Sequence, residues 1–328
     1  MSEPTIDVVG IGNALVDVIS HETHAFVEAQ GLVPGSMNLI ETDRRSELYG
    51  AMGVAIETSG GSVANTMAGI ASFGGSAHYL GRVRDDQLGE VFAHDMAAVG
   101  VGYTNPLAID GPPTGCCLVW VTDDGQRTMN TYLGSAELFG TDDVDAEVVA
   151  SGRFLYLEGY LFDRPEAQAA FRLAATMAHA AGRTVSMTLS DSFCVDRHRA
   201  AFVDMVRNHV DLLFANEDEL RALYEIDDLD KALAAVAEDC SIAAVTRSEQ
   251  GSVVVTAAGR IEVAAEPVDQ VVDTTGAGDL FAAGFLYGLA RDLDHATCAR
   301  LGSIAAAEVI GHIGPRPAVT LADLIRDL

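Results

Sequence analysis

The stretch "DTTGAGDLFAAGFLYGLA", residues 273–290, places a glycine turn in front of an apolar helix pattern. A β-like run leads into the turn, and the turn starts the helix. The backbone N–H groups of Gly276, Ala277 and Gly278 therefore face outward at the positive end of the helix, where no helix carbonyl accepts from them. These residues predict an anion hole.

Asp279 lies in the first turn of this helix. A carboxylate there complements the helix dipole but repels a bound phosphate, so its presence beside an anion hole needs a chemical reason. Accepting a proton from an attacking hydroxyl group is such a reason, and we interpret Asp279 as a general base. The alternative is that Asp279 only complements the dipole, while Gly276 and Gly278 serve the turn.

A second glycine turn, "SGGSVANT" at residues 59–66, has a similar form. Ser62 is a good helix N-cap, and the paired Gly60 and Gly61 allow the backbone to approach a ligand closely. Asn65 lies in the first turn of the helix, where its amide can reach the same place. The alternative is that the glycines only allow tight packing between a strand and a helix.

Composition and charge narrow the classes of function. With 328 residues, 49% of them hydrophobic, the chain can form one large α/β domain and a smaller appendage. The formal charge of -28 repels polyanions, so we expect no nucleic-acid partner and no binding to anionic membranes. No apolar stretch reaches the ~20 residues of a membrane span, and no basic flank precedes an apolar run, so we expect a cytoplasmic protein. The five cysteines have neither metal-site nor disulfide spacing.

The single lysine of the chain excludes two large classes of phosphate-binding enzyme. Lys231 lies in a helix-like stretch with no glycine loop before it, whereas a Walker A loop and a protein-kinase fold each need a lysine to hold phosphates. The N-terminal "GIGNAL" follows a strand-like run, but Leu15 stands where a dinucleotide-binding fold has its third glycine. A nicotinamide-dependent dehydrogenase is therefore the weaker interpretation.

Strand-like runs alternate with helical patterns along most of the chain. The runs are "IDVVGIG", "AHYLGRV", "RFLYLEG", "TVSMTLS", "VDLLFAN" and "SIAAVTR". Such alternation predicts a mainly parallel sheet covered by helices on both faces. Two excursions interrupt the alternation, and the second contains a β-hairpin around "DDGQ". We assign residues 15–58 and 108–134 to one small lid, and residues 1–14, 59–107 and 135–328 to a large domain that binds nucleotide and substrate.

Three motifs together resemble a known family. "DTTGAGD", "GGSVANT" and "NEDE" at residues 216–219 are similar to the ribokinase superfamily of small-molecule kinases, the PfkB carbohydrate kinases, nearly from end to end. Within it the most similar pattern is that of adenosine kinases, in which "GIGNALVDVI", "PPTGCC", "QRTMN" and "VDLLFANEDE" occur in the same order. The resemblance implies a ribokinase-like three-layer α/β/α domain with a mainly parallel sheet, plus a small α/β lid.

The resemblance also implies roles at the substrate site. It makes Asp279 the base that takes the proton of the acceptor hydroxyl, while the amides of residues 276–278 stabilise the transferred phosphoryl group. It makes Asp17 the acid that holds two acceptor hydroxyls; an exposed acid at a strand end is the alternative. Arg127 would be a lid arginine that closes over the phosphates, or else an exposed charge on the hairpin. The substrate-binding residues implied are Asn13, Asp17, Gly61, Ser62, Asn65, Arg127 and Tyr160.

For the nucleotide, the resemblance implies contacts from Asn216, Thr246, Gly251 and Thr275. Asn216 and Glu219 match an N-x-x-E motif that organises Mg²⁺ and phosphate, through water, because Mg²⁺ keeps much of its hydration shell. A helix N-cap and an ordinary first-turn acid are the alternatives for this pair. Ser248 stands where the family has a glycine, which leaves the shape of that loop open.

The acceptor is expected to be neutral, because the matched positions that hold the sugar are neutral or acidic and Arg127 is the only basic residue placed near the site. Tyr160 falls where adenosine kinases have a stacking phenylalanine. We therefore expect the primary hydroxyl of adenosine to receive the γ-phosphoryl group of ATP and give AMP. Glu158 stands where a small residue is expected, which would fit a different base or a plain sugar.

Two alternatives stay open. One keeps the mechanism and changes the acceptor, as in a sugar kinase of the ribokinase, fructokinase or 2-keto-3-deoxygluconate kinase type. The other is a non-catalytic regulator that keeps the fold and binds nucleotide. ATP and Mg²⁺ are the implied cofactors. The sequence does not decide whether a monovalent cation such as K⁺ is needed, or whether the chain is a monomer or a homodimer.

Overall fold

The computed structural model describes residues 3–326 of the chain. Over these residues the strands, in chain order, are β1 (Ile6–Ile11), β2 (Leu15–His21), β3 (Met37–Leu39), β4 (Ala55–Gly60), β5 (Ala77–Leu80), β6 (Val101–Tyr103), β7 (Gly115–Val121), β8 (Arg127–Tyr132), β9 (Gly152–Glu158), β10 (Thr184–Thr188), β11 (Leu212–Asn216), β12 (Ile242–Thr246), β13 (Ser252–Thr256) and β14 (Gly259–Val263). The α-helices are α1 (His24–Ala29), α2 (Thr42–Ala51), α3 (Ser62–Ser72), α4 (Gln87–Ala98), α5 (Ala146–Ser151), α6 (Pro165–Ala180), α7 (Ser192–His209), α8 (Glu217–Tyr224), α9 (Leu229–Asp239), α10 (Ala277–Ala290), α11 (His295–Ile310) and α12 (Leu321–Leu324). Within this described part, no helix combines the length and apolar character that crossing a membrane requires.

Nine strands form the large sheet, in the order β14-β13-β12-β11-β10-β9-β1-β5-β6. Neighbours from β6 to β12 run parallel, while the β12-β13-β14 edge is antiparallel. All six strand-like runs of the sequence lie in this sheet, so the predicted mainly parallel sheet is confirmed. Parallel strands need long crossover connections, and the helices supply them.

Alternate side chains of the central strands enter two separate cores. Val8 of β1 and Tyr156 of β9 pack into one core, whereas Val9 and Leu155 pack into the other. Helices cover both faces of the sheet, which is why these strands are apolar on both sides. The three-layer α/β/α arrangement implied by the resemblance is therefore confirmed.

Helices α3 and α10 pack side by side on one face of the large sheet. A Cβ atom added at Gly69 would lie 2.7 Å from the Cβ atom of Ala283, so the glycine permits an approach that a larger residue would prevent. The N-terminal turns of α3 and α10 consequently meet, because side chains of the two turns are within hydrogen-bonding distance.

The other five strands form a small sheet, in the order β3-β8-β7-β2-β4. The hairpin expected around "DDGQ" is present, because β7 and β8 pair antiparallel across it. One face of the small sheet packs on α1, where the rings of Trp120 and Phe26 have centroids 5.0 Å apart. The strands of this sheet come from residues 15–60 and 115–132. That they act as a lid with the boundaries given above stays a prediction.

The opposite face of the small sheet carries Asp17 and Arg127. Asp17 of β2 pairs with Cys117 of β7. Arg127 of β8 pairs with Val121 of β7, which is four residues after Cys117. Residues an even number of positions apart on a strand share a face, so the two charges project to the same side. This register gives the small sheet a polar contribution to the site described next.

Candidate active site

Asp279 lies in the first turn of α10, and two side chains of α3 hold its carboxylate. Oδ1 accepts a hydrogen bond from Ser62 Oγ at 2.6 Å, and Oδ2 accepts one from Asn65 Nδ2 at 3.0 Å. Ser62 and Asn65 lie 217 and 214 positions away from Asp279 in the chain. The close packing of α3 on α10 therefore fixes both oxygens of the carboxylate.

The surroundings of Asp279 make it more basic than a free aspartate. Burial raises its pKa, whereas the hydrogen bonds from Ser62 and Asn65 and the positive charge of Arg316 lower it, and the net shift is upward. A carboxylate that is oriented, partly desolvated and raised in pKa accepts a proton from a neighbouring hydroxyl more readily than a solvated one. The geometry thus suits the general base expected from the sequence.

The two glycines at the start of α10, Gly276 as its N-cap and Gly278 in its first turn, differ in what they permit. Gly276 has a φ of +84°, and a Cβ atom there would lie 2.8 Å from Pro315 Cα, so the fold itself requires glycine. A Cβ atom at Gly278 would meet nothing within 4 Å. Space therefore opens above Gly278, which suits the approach of a ligand.

The amides of this turn are mostly free to bind a ligand. Among residues 3–326, the N–H groups of Gly276, Gly278 and Asp279 have no hydrogen-bond acceptor. The N–H group of Ala277 donates to Thr274 O at 3.3 Å, so this member of the expected anion hole is already engaged. Free amides at a helix N-terminus, beside the open space over Gly278, suit an anion such as a phosphoryl group.

Asp273, the first residue of the turn, gathers donors from three segments. Its Oδ1 accepts from Thr275 N at 3.0 Å and from Thr275 Oγ1 at 2.6 Å. Its Oδ2 accepts from Gly314 N at 3.0 Å and from Arg127 Nη1 at 2.5 Å. Thr275, which the resemblance implies as a nucleotide contact, thus has its hydroxyl directed to Asp273.

Arg127 is not the exposed hairpin charge considered as an alternative. Its side chain is 9% exposed and forms an ion pair with Asp273. Its Nε atom is buried and has no partner within the described part of the chain. A buried guanidinium donor without an acceptor costs free energy, so this atom suits a contact to a ligand anion.

Asp17 is held inside the site, although the exposed strand-end acid was the alternative. Burial raises the pKa of Asp17 to about 6; the charges of Arg127 and Arg316 lower it, and that of Asp279 raises it. A Cβ atom at Gly60 would lie 2.5 Å from Asp17 Oδ2, so the glycine leaves room for this carboxylate. Asp17, Asp279 and the two arginines therefore share one electrostatic environment.

Arg316 is the functional candidate that sequence reasoning missed. Its Nε donates to Asn65 Oδ1 at 2.9 Å, and its Nη2 donates to Ser59 O at 2.9 Å and to Ser59 Oγ at 3.2 Å. The expectation that Arg127 is the only basic residue near the site is therefore wrong. The available signal was an arginine between two prolines in "GPRP", which follows the last long helix of an acidic chain.

Glu158 lies beneath the site, and its carboxylate is occupied by protein donors. Oε1 accepts from Asn13 N at 3.2 Å and from Asn13 Nδ2 at 2.9 Å, and Oε2 accepts from Val63 N at 3.1 Å. A Cβ atom at Gly12 would lie 2.2 Å from Oε2, so glycine makes room for the larger acid. Glu158 thus joins the end of β1 to the first turn of α3. Contacts within the protein alone thus account for a large acid at this position.

Asn13 and Gly61 lie directly above this carboxylate. Asn13 Oδ1 is buried and has no partner among residues 3–326, which leaves an acceptor for a ligand hydroxyl or amide. Gly61 has a φ of +100°, and a Cβ atom there would lie 2.3 Å from Asn13 O. The second glycine turn is therefore required by close backbone packing as well as being placed beside the site.

Tyr160 follows β9 in a short 3₁₀ turn and is 36% exposed. Its amide donates to Ser190 Oγ at 3.1 Å. Burial raises the pKa of the Tyr160 hydroxyl, and the negative charges of Asp191 and Asp279 add to that rise. The side chain is thus partly exposed and within the electrostatic influence of Asp279.

Comparison with known proteins decides the family. The family model described as pfkB family carbohydrate kinase matches residues 35–321. The chain belongs to the pfkB carbohydrate kinase family. The kinase is 52% identical to the adenosine kinase from Sinorhizobium meliloti, whose structure has a TM-score of 0.89 and covers 98% of each chain. It is 48% identical to a probable sugar kinase from Rhizobium etli, with a TM-score of 0.90 and 98% coverage of each chain. An ATP-dependent ribose-1-phosphate kinase from Halopiger xanaduensis is 30% identical over 86% of this chain and 90% of that protein.

This kinase is therefore an ATP-dependent phosphotransferase that acts on a hydroxyl group, and its family uses ATP with Mg²⁺. Asn216 and Thr246, which the resemblance implies as nucleotide contacts, lie together where β11 and β12 end, because the two residues pair there. Ser248 has a φ of +50°, so the serine takes the backbone conformation that glycine would favour. A Cβ atom at Gly251 would lie 2.0 Å from Val263 O, which excludes any larger residue there.

Asn216 and Glu219 of the kinase form a capping box at the start of α8. Glu219 N donates to Asn216 Oδ1 at 2.8 Å, and Asn216 N donates to Glu219 Oε2 at 3.0 Å. Burial raises the pKa of Glu219 to about 7. Within residues 3–326, no group of three His, Cys, Asp or Glu side chains is arranged to hold a metal ion directly. The pair thus has the N-cap role considered as an alternative, and its water-mediated contact with Mg²⁺ stays a prediction.

Proposed function

We propose that this kinase transfers the γ-phosphoryl group of ATP to the primary hydroxyl of a nucleoside, with adenosine as acceptor and AMP as product. One observation carries the proposal: Asp279 is held by Ser62 and Asn65 beside the free amides of the turn before α10. The choice of adenosine is supported by the 52% identity to the adenosine kinase from Sinorhizobium meliloti and by the partly exposed aromatic ring of Tyr160.

In this mechanism Asp17 and Asn13 Oδ1 hold the hydroxyls of the acceptor sugar. Asp279 takes the proton from the primary hydroxyl as its oxygen attacks the γ-phosphorus in line with the departing ADP. The amides of Gly276 and Gly278 stabilise the negative charge of the transferred group, and they need no reorientation to do so. The new bond is O–P, the bond that breaks joins the γ-phosphorus to the β–γ bridging oxygen, and the proton resides on Asp279.

The nucleotide phosphates and Mg²⁺ are assigned to the remaining elements. Thr246, Gly251 and Thr275 would line the nucleotide, while Arg127 Nε faces its phosphates. Asn216 and Glu219 would hold Mg²⁺ through water, since each Glu219 oxygen keeps a lone pair beyond the capping box. Bound Mg²⁺ neutralises phosphate charge during transfer. A need for K⁺, a cytoplasmic location and the choice between monomer and homodimer stay predictions.

A second candidate acceptor is a sugar that carries a phosphate group. Arg316 supplies a positive charge beside Asn65 and Asp17, which removes the main argument against an anionic acceptor. The 30% identity to the ribose-1-phosphate kinase from Halopiger xanaduensis supports the same candidate. The three hydrogen bonds from Arg316 to Asn65 and Ser59 favour a structural use of this charge, so adenosine stays the first choice.

A coupled assay of ADP release decides between these acceptors. The enzyme is given MgATP with adenosine, inosine, guanosine, ribose, fructose, 2-keto-3-deoxygluconate or ribose 1-phosphate, and preference for adenosine is expected. Asp279→Asn should lower kcat by about 10²–10⁴-fold while ATP binding is retained. Asp292→Asn is the matched control, because it removes an exposed acid that pairs with Arg153 away from the site. Full activity of Asp279→Asn would show that Asp279 is not the base.

A further inference from the structure

Asp273 has a position in the site that its sequence context does not explain. It precedes Asp279 by six residues, and its two oxygens accept four hydrogen bonds, all from protein donors. The donors belong to the turn itself, to the loop after α11 and to strand β8 of the small sheet. An aspartate that only started a turn would need the donors of the turn itself, and it would not need donors from the other two segments.

The first link shapes the turn. Asp273 Oδ1 receives both the amide and the hydroxyl of Thr275, at 3.0 and 2.6 Å, which closes the chain into an Asx-type turn immediately before Gly276. The direction of the free amides at Gly276 and Gly278 depends on this turn, because they follow it directly. Loss of the Asp273 carboxylate would leave the turn to be held by the weaker bond from Ala277 N to Thr274 O, at 3.3 Å.

The second link extends to the arginine under the site. Asp273 Oδ2 accepts from Gly314 N at 3.0 Å, two residues before Arg316. Arg316 in turn donates to Asn65, and Asn65 donates to Asp279. Three hydrogen bonds and the short chain segment from Gly314 to Arg316 therefore connect Asp273 to the carboxylate that we propose as the base.

The third link joins the small sheet to the turn. The side chains of Arg127 and Asp273 are 9% and 10% exposed, and their ion pair measures 2.5 Å. An ion pair from which water is excluded is screened little by solvent, and removal of one partner leaves the other charge uncompensated. Burial by itself would raise the pKa of Asp273, but the bonds from Thr275 and Gly314 and the charge of Arg127 hold it below its usual value.

We propose that Asp273 is a positioning residue for phosphoryl transfer, which orients the amides of the turn and couples strand β8 to them through Arg127. The inference rests on the proposed assignment of residues 276–279 as the phosphoryl site. Asp273 acts only through its neighbours, and it touches neither the acceptor nor the transferred group. The position of the small sheet and the orientation of the amides that bind the phosphoryl group thus depend on each other.

Asp273→Asn tests the proposal, because asparagine has the size of aspartate but replaces one carboxylate oxygen by an NH₂ group. An NH₂ group at the position of Oδ2 would face the donors Arg127 and Gly314 N, and these hydrogen bonds would be lost. We expect kcat to fall about 10²-fold, the loss typical of small displacements of catalytic groups, and KM for MgATP to rise. KM for adenosine should stay within about twofold, since Asp17 and Asn13 are untouched. Arg127→Gln breaks the third link and keeps the first two, but it also removes the proposed contact of Arg127 Nε with the nucleotide phosphates. Its own loss of kcat is therefore interpreted only together with that of Asp273→Asn.

A double-mutant cycle of these two substitutions measures the coupling. If both act through one ion pair, the loss of kcat in the double variant should be smaller than the product of the two single losses. Asp292→Asn again serves as the control for loss of one acidic charge. Trp120, the single tryptophan of the chain, lies in the core of the small sheet, so its fluorescence reports whether each variant keeps that sheet folded.

The outcomes separate a positioning role from a structural one. A folded Asp273→Asn that melts earlier but keeps wild-type kcat would overturn the proposal, as would effects of the two substitutions that simply multiply. If Asp273→Asn loses native Trp120 emission, Thr275→Val replaces it as the test, because this variant removes the 2.6 Å hydroxyl bond to Asp273 and keeps the branched shape of the side chain. Wild-type kcat in both Thr275→Val and Arg127→Gln would then overturn the proposal. If Asp279→Asn is inactive while Asp273→Asn is normal, the proposed function stands and only this inference fails.

Discussion

Gly278→Ala should make the kinase more stable and less active at once. A Cβ atom at Gly278 meets no protein atom within 4 Å, and this glycine is not among those with positive φ. Alanine therefore fits the helix without strain. The same Cβ atom, however, enters the space beside the free amides where we place the transferred phosphoryl group.

The size of both effects can be estimated. Replacing glycine by alanine in a helix stabilises a protein by up to about 1 kcal/mol, and less in the first turn, which for a chain of this length raises Tm by about 1–2 °C. Steric displacement of the phosphoryl group from its amide donors should cost about 10²–10³-fold in kcat/KM for MgATP, comparable to the loss of one oxyanion-hole donor.

Two other glycines provide the controls. Gly50 in α2 is also helical and has nothing within 4 Å of an added Cβ atom, but it lies away from the site, so Gly50→Ala should raise Tm and leave activity unchanged. Gly276→Ala should be destabilised, because φ is +84° and the Cβ atom would lie 2.8 Å from Pro315 Cα.

Thermal unfolding and ADP release at saturating adenosine, with MgATP varied, measure the two effects on the same preparations. Gly278→Ala with wild-type kcat/KM for MgATP would refute the placement of the phosphoryl group against this turn. A Tm several degrees below wild type would refute the open space above Gly278. Raised stability combined with lost activity is the signature of a glycine kept for its ligand.

Three further changes test the charges of the site. In the wild type, kcat/KM for adenosine should fall as the pH drops through about 6, because the ionised carboxylate of Asp17 binds hydroxyls most strongly. Asp17→Asn should remove this acidic limb, and a limb that persists in the variant belongs to another group. Glu158→Gln should flatten the pH dependence of the free energy of unfolding. Burial raises the pKa of Glu158 from 4.5 to about 7, so the wild type loses stability as the pH rises across that window, by on the order of 3 kcal/mol, and equal slopes in denaturant titrations of both proteins would contradict this. Arg316→Met should move the acidic limb of the pH profile upward, since Arg316 lowers the pKa of both Asp17 and Asp279, and an unchanged midpoint would show that its charge does not act on them.

The large sheet was predictable from sequence because its signal is local. Each of the six apolar runs is long enough to show a buried strand, and the helices between them are long enough to cross over. The order of the strands carries no such signal: β1 lies between β9 and β5, which are separated from it by different lengths of chain. Strand β3, with only three residues, is too short to show a pattern.

The residues of the candidate site were likewise predictable where their signal is local and not where it depends on distant partners. The turn at residues 273–279 and the "SGGSVANT" turn were visible because their glycines and first-turn polar residues are contiguous. Arg316 was not visible, since its partners Asn65 and Ser59 lie 251 and 257 positions away and no local periodicity connects them. Glu158 was visible, but its contacts were not, because two of its three donors are backbone amides, which almost every residue type possesses.

Ser248 and Glu158 show that a departure from a family pattern in residue type need not be a departure in geometry. Ser248 replaces a glycine yet keeps the positive φ of +50°, at a cost of roughly 1–2 kcal/mol for a residue with a side chain. Glu158 replaces a small residue, and the room for it comes from Gly12, whose Cβ atom would lie 2.2 Å from its Oε2. In both cases the local backbone accommodates the side chain that departs from the family pattern. Neither substitution therefore speaks against the proposed reaction. We expect the acceptor to be selected by side chains such as Asn13, whose buried Oδ1 has no partner among residues 3–326.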